Sequence, residues 1–327
     1  MSLILLEKLK TLFVGVETIP GTCEETGLTA IGVFDMVYNP EFESIKQNLS
    51  LGILGVPRYF KNCRRPLFTF KSYIRGSGIS VSTPPQEGPL YQAAGLVETI
   101  STGVSVSYTF SSIKTDWNWL SLNFFYGDAG VNDYAIYACG CLLTGVMRWE
   151  PCQPGIIEWR AEGIFREITT KKDFYEKTGA PSFVKADIVN PIPPVCQDGS
   201  CIQIDSTNFV SNSLEIDMGN VINPRPVLGC KRHGHEIPYF SDREPKGTLQ
   251  MEIPDPDLEF DMQGAIVDDT VHTLSYTCGA TATNKYAVAG EVQALNITES
   301  PNDGISGWSG EFGLVDEADQ EFSLIFT

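Results

Sequence analysis

Two stretches of this chain have equal length and repeat the same residues at the same places. Residues 137–162 read YACGCLLTGVMRWEPCQPGIIEWRAE, and residues 286–311 read YAVAGEVQALNITESPNDGISGWSGE. The whole chain holds 12 tyrosines and 5 tryptophans, so a match between these scarce residues carries more weight than other matches. A gap-free shift of 149 positions superposes Tyr137 on Tyr286, Ala138 on Ala287, Glu150 on Glu299, Gly155 on Gly304, Ile156 on Ile305, Trp159 on Trp308 and Glu162 on Glu311.

Each stretch has the pattern of a β-hairpin. A first strand ends near Glu150 or Glu299, and a loop closes on Gly155 or Gly304. In the first stretch the second strand alternates apolar and polar residues, which is typical of a strand with one buried and one solvated face. We therefore predict a repeated structural core built on four aromatic residues, Tyr137, Trp159, Tyr286 and Trp308.

Three further blocks recur in the same order along the chain. The shift between the copies falls from block to block because the first copy carries longer insertions. An internal duplication accounts for all of the blocks together. The three blocks pair Ser107-Tyr108-Thr109 with Ser275-Tyr276-Thr277, Phe34-Asp35-Met36 with Ile216-Asp217-Met218, and Arg64, Pro66, Thr69 and Ile74 with Arg243, Pro245, Thr248 and Ile253.

A chain of 327 residues is long enough for two domains, and the duplication divides it near its middle. Strand patterns dominate, and the best helix candidate is residues 89–97, with a proline in its first turn. We predict a mainly β fold with two tandem sandwich domains and a minor helix. The expected divisions are an N-terminal arm (1–27, whose first 14 residues form a short helix or an extended arm), a first domain (28–168), a linker (169–203) and a second domain (204–327).

The formal charge of −18 argues against a protein that coats nucleic acid, because phosphate neutralisation needs an excess of Lys and Arg. No stretch approaches the roughly 20 apolar residues of a membrane helix. Residues 1–13 lack the order of charges and apolar residues found in a secretory signal, so we expect a reducing cytoplasm. The nine cysteines are then expected as thiols, with Cys139 and Cys141 packing on one strand face and Cys196 and Cys201 as the pair to watch.

Residue clusters that suggest chemistry have simpler explanations. Residues 230–236 (CKRHGHE) bring one cysteine and two histidines together, but a structural zinc site needs four ligands, and Lys231 and Arg232 would repel a cation. The acidic residues at 255–261 lack the glycine and spacing of a calcium loop, which favours a solvated acidic edge. The sequence contains no nucleophile elbow and no phosphate-binding loop. We expect no enzymatic activity, no cofactor and no metal.

Several motifs together suggest a family. Glu17 is followed by Pro20-Gly21-Thr22, a long loop precedes an Arg-x-Pro strand, and a lone helix follows a Gly-rich connector. In the second half, SLEIDMGN at 213–220 is followed by REPKG at 243–247. From about residue 17 to the C-terminus, the chain resembles the major tail tube proteins of long-tailed (siphophage-type) bacteriophages. Residues 169–203 and 230–236 match no motif of that family.

This resemblance implies two tandem tail-tube-like domains, in which one sheet of each subunit joins its neighbours in a barrel around a channel. The rings stack into the tail of the virion and conduct genomic DNA during ejection, after assembly in the host cytoplasm. The implied partners are other copies of the chain, a tape measure protein and a tail terminator, with no membrane and no specific DNA binding. The loop at 39–63 would contact the adjacent ring, with 219–242 as its counterpart, and the candidate stacking residues are Asn39, Leu51, Gly52, Gly55, Pro57 and Tyr59.

Two domains in one chain lead to an expectation about symmetry. The resemblance implies rings of six domains, so three chains would form a trimeric, pseudo-hexameric ring. DNA is a polyanion, and we expect part of the acidic excess of the second half on the wall of the channel. The alternative is a tandem Ig-like adhesion or decoration module on a virion or cell surface, which is also acidic and β-rich but does not assemble with itself.

Overall fold

The computed structural model describes residues 10–24, 27–46, 59–126, 134–165, 191–195, 202–227, 235–253, 261–267, 269–301, 305–315 and 321–327. Antiparallel strands dominate these residues, as predicted, and two short α-helices accompany them. Of the linker predicted at 169–203, only residues 191–195 and 202–203 belong to the described part of the chain.

The described strands fall into two consecutive sets, each with one short α-helix. The first set comprises β1 (Lys10–Val16), β2 (Thr29–Ile31), β3 (Phe34–Tyr38), β4 (Glu41–Lys46), β5 (Tyr59–Arg65), β6 (Leu67–Tyr73), α1 (Gly88–Ala93), β7 (Leu96–Ser101), β8 (Ser105–Phe110), β9 (Leu120–Tyr126), β10 (Tyr134–Trp149) and β11 (Ile156–Phe165). The second set comprises β12 (Ile202–Ile204), β13 (Thr207–Phe209), β14 (Ser211–Asp217), β15 (Asn220–Pro226), β16 (His235–Arg243), β17 (Lys246–Glu252), α2 (Met262–Val267), β18 (Val271–Cys278), β19 (Tyr286–Glu299), β20 (Gly307–Leu314) and β21 (Ser323–Phe326).

Eight strands form one sheet that runs through both sets, which we call the eight-stranded sheet. Its first four strands pair in the order β3, β6, β11 and β10. The C-terminal part of β10 then pairs with β14, and the order continues through β17 and β20 to β19. Each half thus contributes four strands, paired in the same relative order.

The remaining strands of the network form a second layer over this sheet. β2, β1 and β9 lead to the N-terminal part of β10. β7, β8 and β21 lead to the N-terminal part of β19, and β18, β12 and β13 follow on its other side. The body has a closed, barrel-like outline, but the described pairings branch at β10 and β19 and leave strand edges free.

β10 and β19 belong to both layers because each contains an irregularity. In β10 the register shifts between Ala138 and Cys141, around Gly140, whose φ is +57°. In β19 the register shifts between Ala294 and Asn296. A bulge bends a strand and changes which residues face inward, so each long strand leaves one layer and enters the other.

The main hydrophobic core lies between the layers and draws on both halves. Trp159 is fully buried, and its indole Nε1 donates to Ser72 Oγ at 2.9 Å. The ring of Tyr91, on α1, lies 5.8 Å from Trp159 and 5.9 Å from Phe326 near the C-terminus. A cluster that joins β11, α1 and β21 ties the two halves into one core.

Several element boundaries differ from the sequence-based predictions. The helix expected at 89–97 spans Gly88–Ala93, and the chain reverses at Gly95 into β7. Residues 10–16 form an extended strand, which decides between the two alternatives for this part of the N-terminal arm. The segment from residue 28 to Tyr38, at the start of the predicted first domain, forms two strands, β2 and β3.

Candidate functional site

The junction between the two halves is a run of ordinary antiparallel pairing. Met147 of β10 lies opposite Ile216 of β14, and Trp149 lies opposite Leu214. All four side chains are buried in the main core. On the opposite face, Arg148 Nε lies 2.9 Å from Glu215 Oε2. The second half therefore continues the sheet of the first half with the same two-faced pattern.

Aromatic contacts reinforce this junction. Trp149 Nε1 donates to the hydroxyl oxygen of Tyr286 at 2.9 Å, and the Trp149 and Tyr276 rings meet edge to face at 5.6 Å. Burial raises the pKa of Tyr286 well above its ordinary value, so the hydroxyl stays neutral. Gly155 must lack a side chain, because a Cβ there would lie 2.5 Å from both Trp149 Nε1 and the Tyr286 hydroxyl.

Among the described strands, each end of the eight-stranded sheet has an unpaired edge. At one end β3 pairs with β6, and no described strand occupies its other edge. At the other end β19 pairs with β18 as far as Gln293, and its residues 294–299 have only β20 beside them among the described strands. In the first half, the corresponding part of β10 is the part that pairs with β14.

A two-stranded hairpin follows the first strand of the eight-stranded sheet in each half. β4 pairs with β5 after β3, and β15 pairs with β16 after β14. These hairpins correspond to the long loops predicted at 39–63 and 219–242. Both sequence segments therefore share a structural role within their halves, as two-stranded insertions between the first two strands of the sheet.

The second hairpin lies back across the first half. Asn220 Nδ2 donates to the Ala94 carbonyl oxygen at 2.8 Å, and Trp119 Nε1 donates to the Pro238 carbonyl oxygen at 3.3 Å. The Phe240 ring packs on Trp117 at 5.1 Å and against Gly95. β16 also lies beside β10, β11 and β5. The hairpin that follows β14 thus covers the helix end and strands of the neighbouring half.

The candidate stacking residues are only partly described. Asn39 follows β3, and its backbone N–H donates to the Leu67 carbonyl oxygen at 2.9 Å. Tyr59 begins β5. The other four, Leu51, Gly52, Gly55 and Pro57, lie outside the described residues.

The turn that begins with Glu17 anchors the bulge of β10. The Glu17 carboxylate accepts three hydrogen bonds, from Gly21 N at 2.5 Å, Ser121 Oγ at 2.8 Å and Gly140 N at 2.7 Å. Three donors satisfy a carboxylate that is only 8% exposed. The left-handed Gly140 has room for no side chain, because a Cβ would lie 2.6 Å from Ile237 of the second hairpin.

The prediction that the cysteines stay as free thiols is wrong for one pair. Cys23 and Cys139 form a disulfide, with Cα atoms 4.9 Å apart. The bulge at Gly140 also overturns the expectation that Cys139 and Cys141 share a face. Cys141 lies in the main core as a thiol, whereas Cys139 lies outside it and bonds to the turn after β1. Cys196 and Cys201 lie outside the described residues.

The four repeat residues occupy unlike positions. Trp159 and Tyr286 are fully buried in the main core, and Trp308 is half-buried at its margin. Tyr137 packs on Phe125 in a smaller cluster, because it precedes the bulge and faces the other way. Trp159 lies opposite Gly145, whereas Trp308 lies opposite Glu299. The β10–β11 pair and the β19–β20 pair therefore differ in register.

The solvated face of the eight-stranded sheet carries different charges in its two halves. In the first half, Arg148 pairs with Glu158 at 3.7 Å, and Lys71 pairs with Asp35 at 3.2 Å. In the second half the charged residues on this face are mostly acidic. Its described charged residues are Glu215, Asp217, Glu252 and Glu311, with Lys246 as the base.

A buried ion pair lies in the connector between β6 and α1. Arg75 Nε donates to Glu87 Oε1 at 2.9 Å, and both side chains are buried. Burial raises the pKa of Glu87, and the neighbouring Arg75 guanidinium partly opposes this. Next to this pair, Gly76 N donates to Asn284 Oδ1 at 3.1 Å, which attaches the connector after β6 to the second half.

The described residues contain no cluster of three or more His, Cys, Asp or Glu side chains suited to a metal. His235 lies buried in β16, while His233 lies outside the described part of the chain. Of the acidic residues at 255–261, only Asp261 is described, and it accepts a hydrogen bond from Gly264 N at 3.0 Å in α2. None of the described helices is long and apolar enough to cross a membrane.

Comparison with known proteins adds no family to this geometry. The sequence matches none of the family models and none of the curated proteins with which it was compared.

Proposed function

We propose that this chain is a structural virion protein that assembles into stacked rings and forms a phage tail tube, a conduit for DNA ejection. The observation that carries the proposal is the junction between β10 and β14, where one half continues the sheet of the other by backbone pairing. Within the described residues this sheet ends in unpaired edges at β3 and β19, and further copies can extend such edges in the same way.

The equal pairing order of the two halves supports an internal duplication and a ring of three chains. Each half supplies four strands to the eight-stranded sheet. Six halves supply about 24 strands, and strands about 4.8 Å apart then enclose a barrel roughly 40–50 Å across. Barrels of 16–18 strands already leave an aqueous channel, so this ring would hold a wide one.

The charge pattern of the solvated face fits a conduit. The bases of the first half are engaged with carboxylates, and the second half adds further carboxylates. A wall of this kind repels phosphate, so DNA would pass without being held. In this proposal the solvated face lines the channel, the chain's main partner is itself, and a tape measure protein and a tail terminator complete the tail.

Electron microscopy and mass measurement of the purified chain test the proposal. At high concentration we expect rings or tubes in negative stain, and a ring mass three times the 36.0 kDa of one chain. A ring of six chains would contradict the trimer and leave the tube standing. A chain that stays monomeric at every concentration, or that binds only a foreign lattice, would contradict the tube and favour the decoration module.

A further inference from the structure

Within one chain, the second half meets the first through two contacts. β14 pairs with the C-terminal part of β10, and the hairpin of β15 and β16 lies across β10 and β11. We propose that the same two contacts join neighbouring copies, so that β3 of one copy pairs with the free part of β19 in the next. The hairpin of β4 and β5 then lies across the second half of that next copy.

This inference rests on the proposed ring and names its contact surfaces. We call residues 294–299 of β19 the second-half edge, and β3 (Phe34–Tyr38) the first-half edge. Each corresponds, by its place in the pairing order, to one side of the internal junction. β10 in the first half corresponds to β19 in the second half, because β10 pairs with β11 and β19 pairs in the same way with β20. β14 corresponds to β3, because each is the first strand that its half contributes to the sheet; β14 pairs with β17, and β3 pairs with β6.

Each of the two edges exposes an apolar side chain. Leu295 on the second-half edge is 50% exposed, and Val37 on the first-half edge is 53% exposed. Val37 lies opposite Thr69 on the solvated face of the sheet, the face on which the internal junction carries the Arg148–Glu215 ion pair. An apolar strand edge left open invites a further strand, which here is a second copy of the chain.

A lysine side chain contacts the backbone of the first-half edge. Lys10 Nζ donates to the Met36 carbonyl oxygen at 3.0 Å. Lysine at a strand edge opposes unselective pairing, because a flexible cation must be moved before another strand can approach. The second-half edge ends in the exposed Glu299. In the proposed contact, this edge of the next copy offers a carboxylate to Lys10.

A second apolar surface lies next to the second-half edge. α2 packs against β19, and Val267 at its end is 79% exposed, while Val271 at the start of β18 is 47% exposed. In the first half, α1 follows β6 as α2 follows β17, and its end at Gly95 is covered by Phe240 of the second hairpin. The hairpin of β4 and β5 from the next copy is the matching cover for α2.

The two contact surfaces of one chain are different, so the contact is head to tail. Contacts of this kind close into a ring when the rotation between neighbours is right, and each copy then has no edge left open. A symmetric two-fold dimer would instead bury one surface and leave the other unused.

Two single substitutions and their mixture test this arrangement. Val37→Asp places a charge on the first-half edge, and Leu295→Asp places one on the second-half edge. Each variant alone is expected to be monomeric by light scattering, with an unchanged circular dichroism spectrum, since both positions are exposed. An equimolar mixture is expected to form dimers of twice 36.0 kDa, because each variant keeps one intact edge. Ile113→Asp, at another position that is 60% exposed, is the matched control and is expected to assemble like the unmodified chain.

The outcomes separate this inference from the proposed function. If both variants still form the same rings as the unmodified chain, the named edges are wrong while the tube stands. Monomers that form no dimer on mixing also overturn the head-to-tail pairing. If the variants behave as expected but the unmodified chain forms only short closed oligomers without tubes, the edges are supported and the tube is not. An unmodified chain that never associates overturns both.

Discussion

At the scale of single residues, burial rather than sequence similarity decides what each repeated aromatic contributes. Trp159 is enclosed on all sides, with Ser72 as its hydrogen-bond partner, whereas Trp308 retains part of its exposure. Glu17 shows the same dependence on surroundings. Its carboxylate is buried because it accepts hydrogen bonds from three donors, Gly21 N, Ser121 Oγ and Gly140 N.

We expect Trp159→Ala to lower the free energy of unfolding by about 3–5 kcal/mol, because it leaves a large cavity and an unpaired serine hydroxyl. Trp308→Ala is the matched variant in the other hairpin and should cost less than half as much, because its indole is only partly removed from water. Urea unfolding followed by circular dichroism measures both. Equal losses for the two variants would contradict the difference in burial.

At the scale of elements, the bulge in β10 organises the first half. Gly140 takes a left-handed conformation, the Glu17 turn binds its N–H, and Cys139 beside it forms the disulfide to Cys23. These contacts hold the N-terminal segment against β10 where the strand passes from one layer to the other. The second hairpin closes over the same place through Ile237.

The disulfide should stabilise the chain by constraining its unfolded state. It links residues separated by 116 positions; chain entropy assigns a loop of this length about 5 kcal/mol, and disulfides typically contribute roughly 2–4 kcal/mol. We expect Cys139→Ala to lower the melting temperature of the oxidised protein, and the difference should largely vanish when both proteins are reduced. Cys152→Ala, at an exposed free thiol, is the control and should change little. An intact mass without the loss of two hydrogens would show that the bond does not form.

At the scale of the whole molecule, the eight-stranded sheet separates two environments. One face packs on the shared core, and the other carries paired charges in the first half and unbalanced carboxylates in the second. The same sheet also carries the internal junction and both free edges. One sheet therefore carries both the strand edges and the charged face that the proposed ring uses.

Reversing charges on the solvated face should create affinity for DNA. We expect Glu252→Lys with Glu311→Lys to bind duplex DNA in a manner that weakens steeply with salt, because added cations release counterions from phosphate. The unmodified chain should not bind at physiological salt. Glu150→Lys is the control. It lies in the exposed turn after β10, away from the sheet face, and changes the charge of each chain by half as much. Fluorescence anisotropy against salt concentration measures this, and tight binding by the unmodified chain would contradict the proposed channel wall.

Much of the secondary structure was predictable because its signals are local. Alternation predicted β11, and the proline in its first turn predicted α1, whereas the long loops at 39–63 and 219–242 were expected from the family resemblance. These signals depend on side chains within a few positions of each other. They specify a strand or a turn without specifying its partner.

By itself, the sequence determined a mainly β chain with a repeated order of strands and a single clear helix in its first half. The tertiary structure decided the pairing of β10 with β14, the disulfide and the core shared by both halves, since these join residues far apart in the chain. It also decided which way Tyr137 and Cys139 face. A bulge of one residue inverts the alternation of a strand, and the Glu17 turn and the second hairpin, both far away in sequence, contact Gly140 in its left-handed conformation.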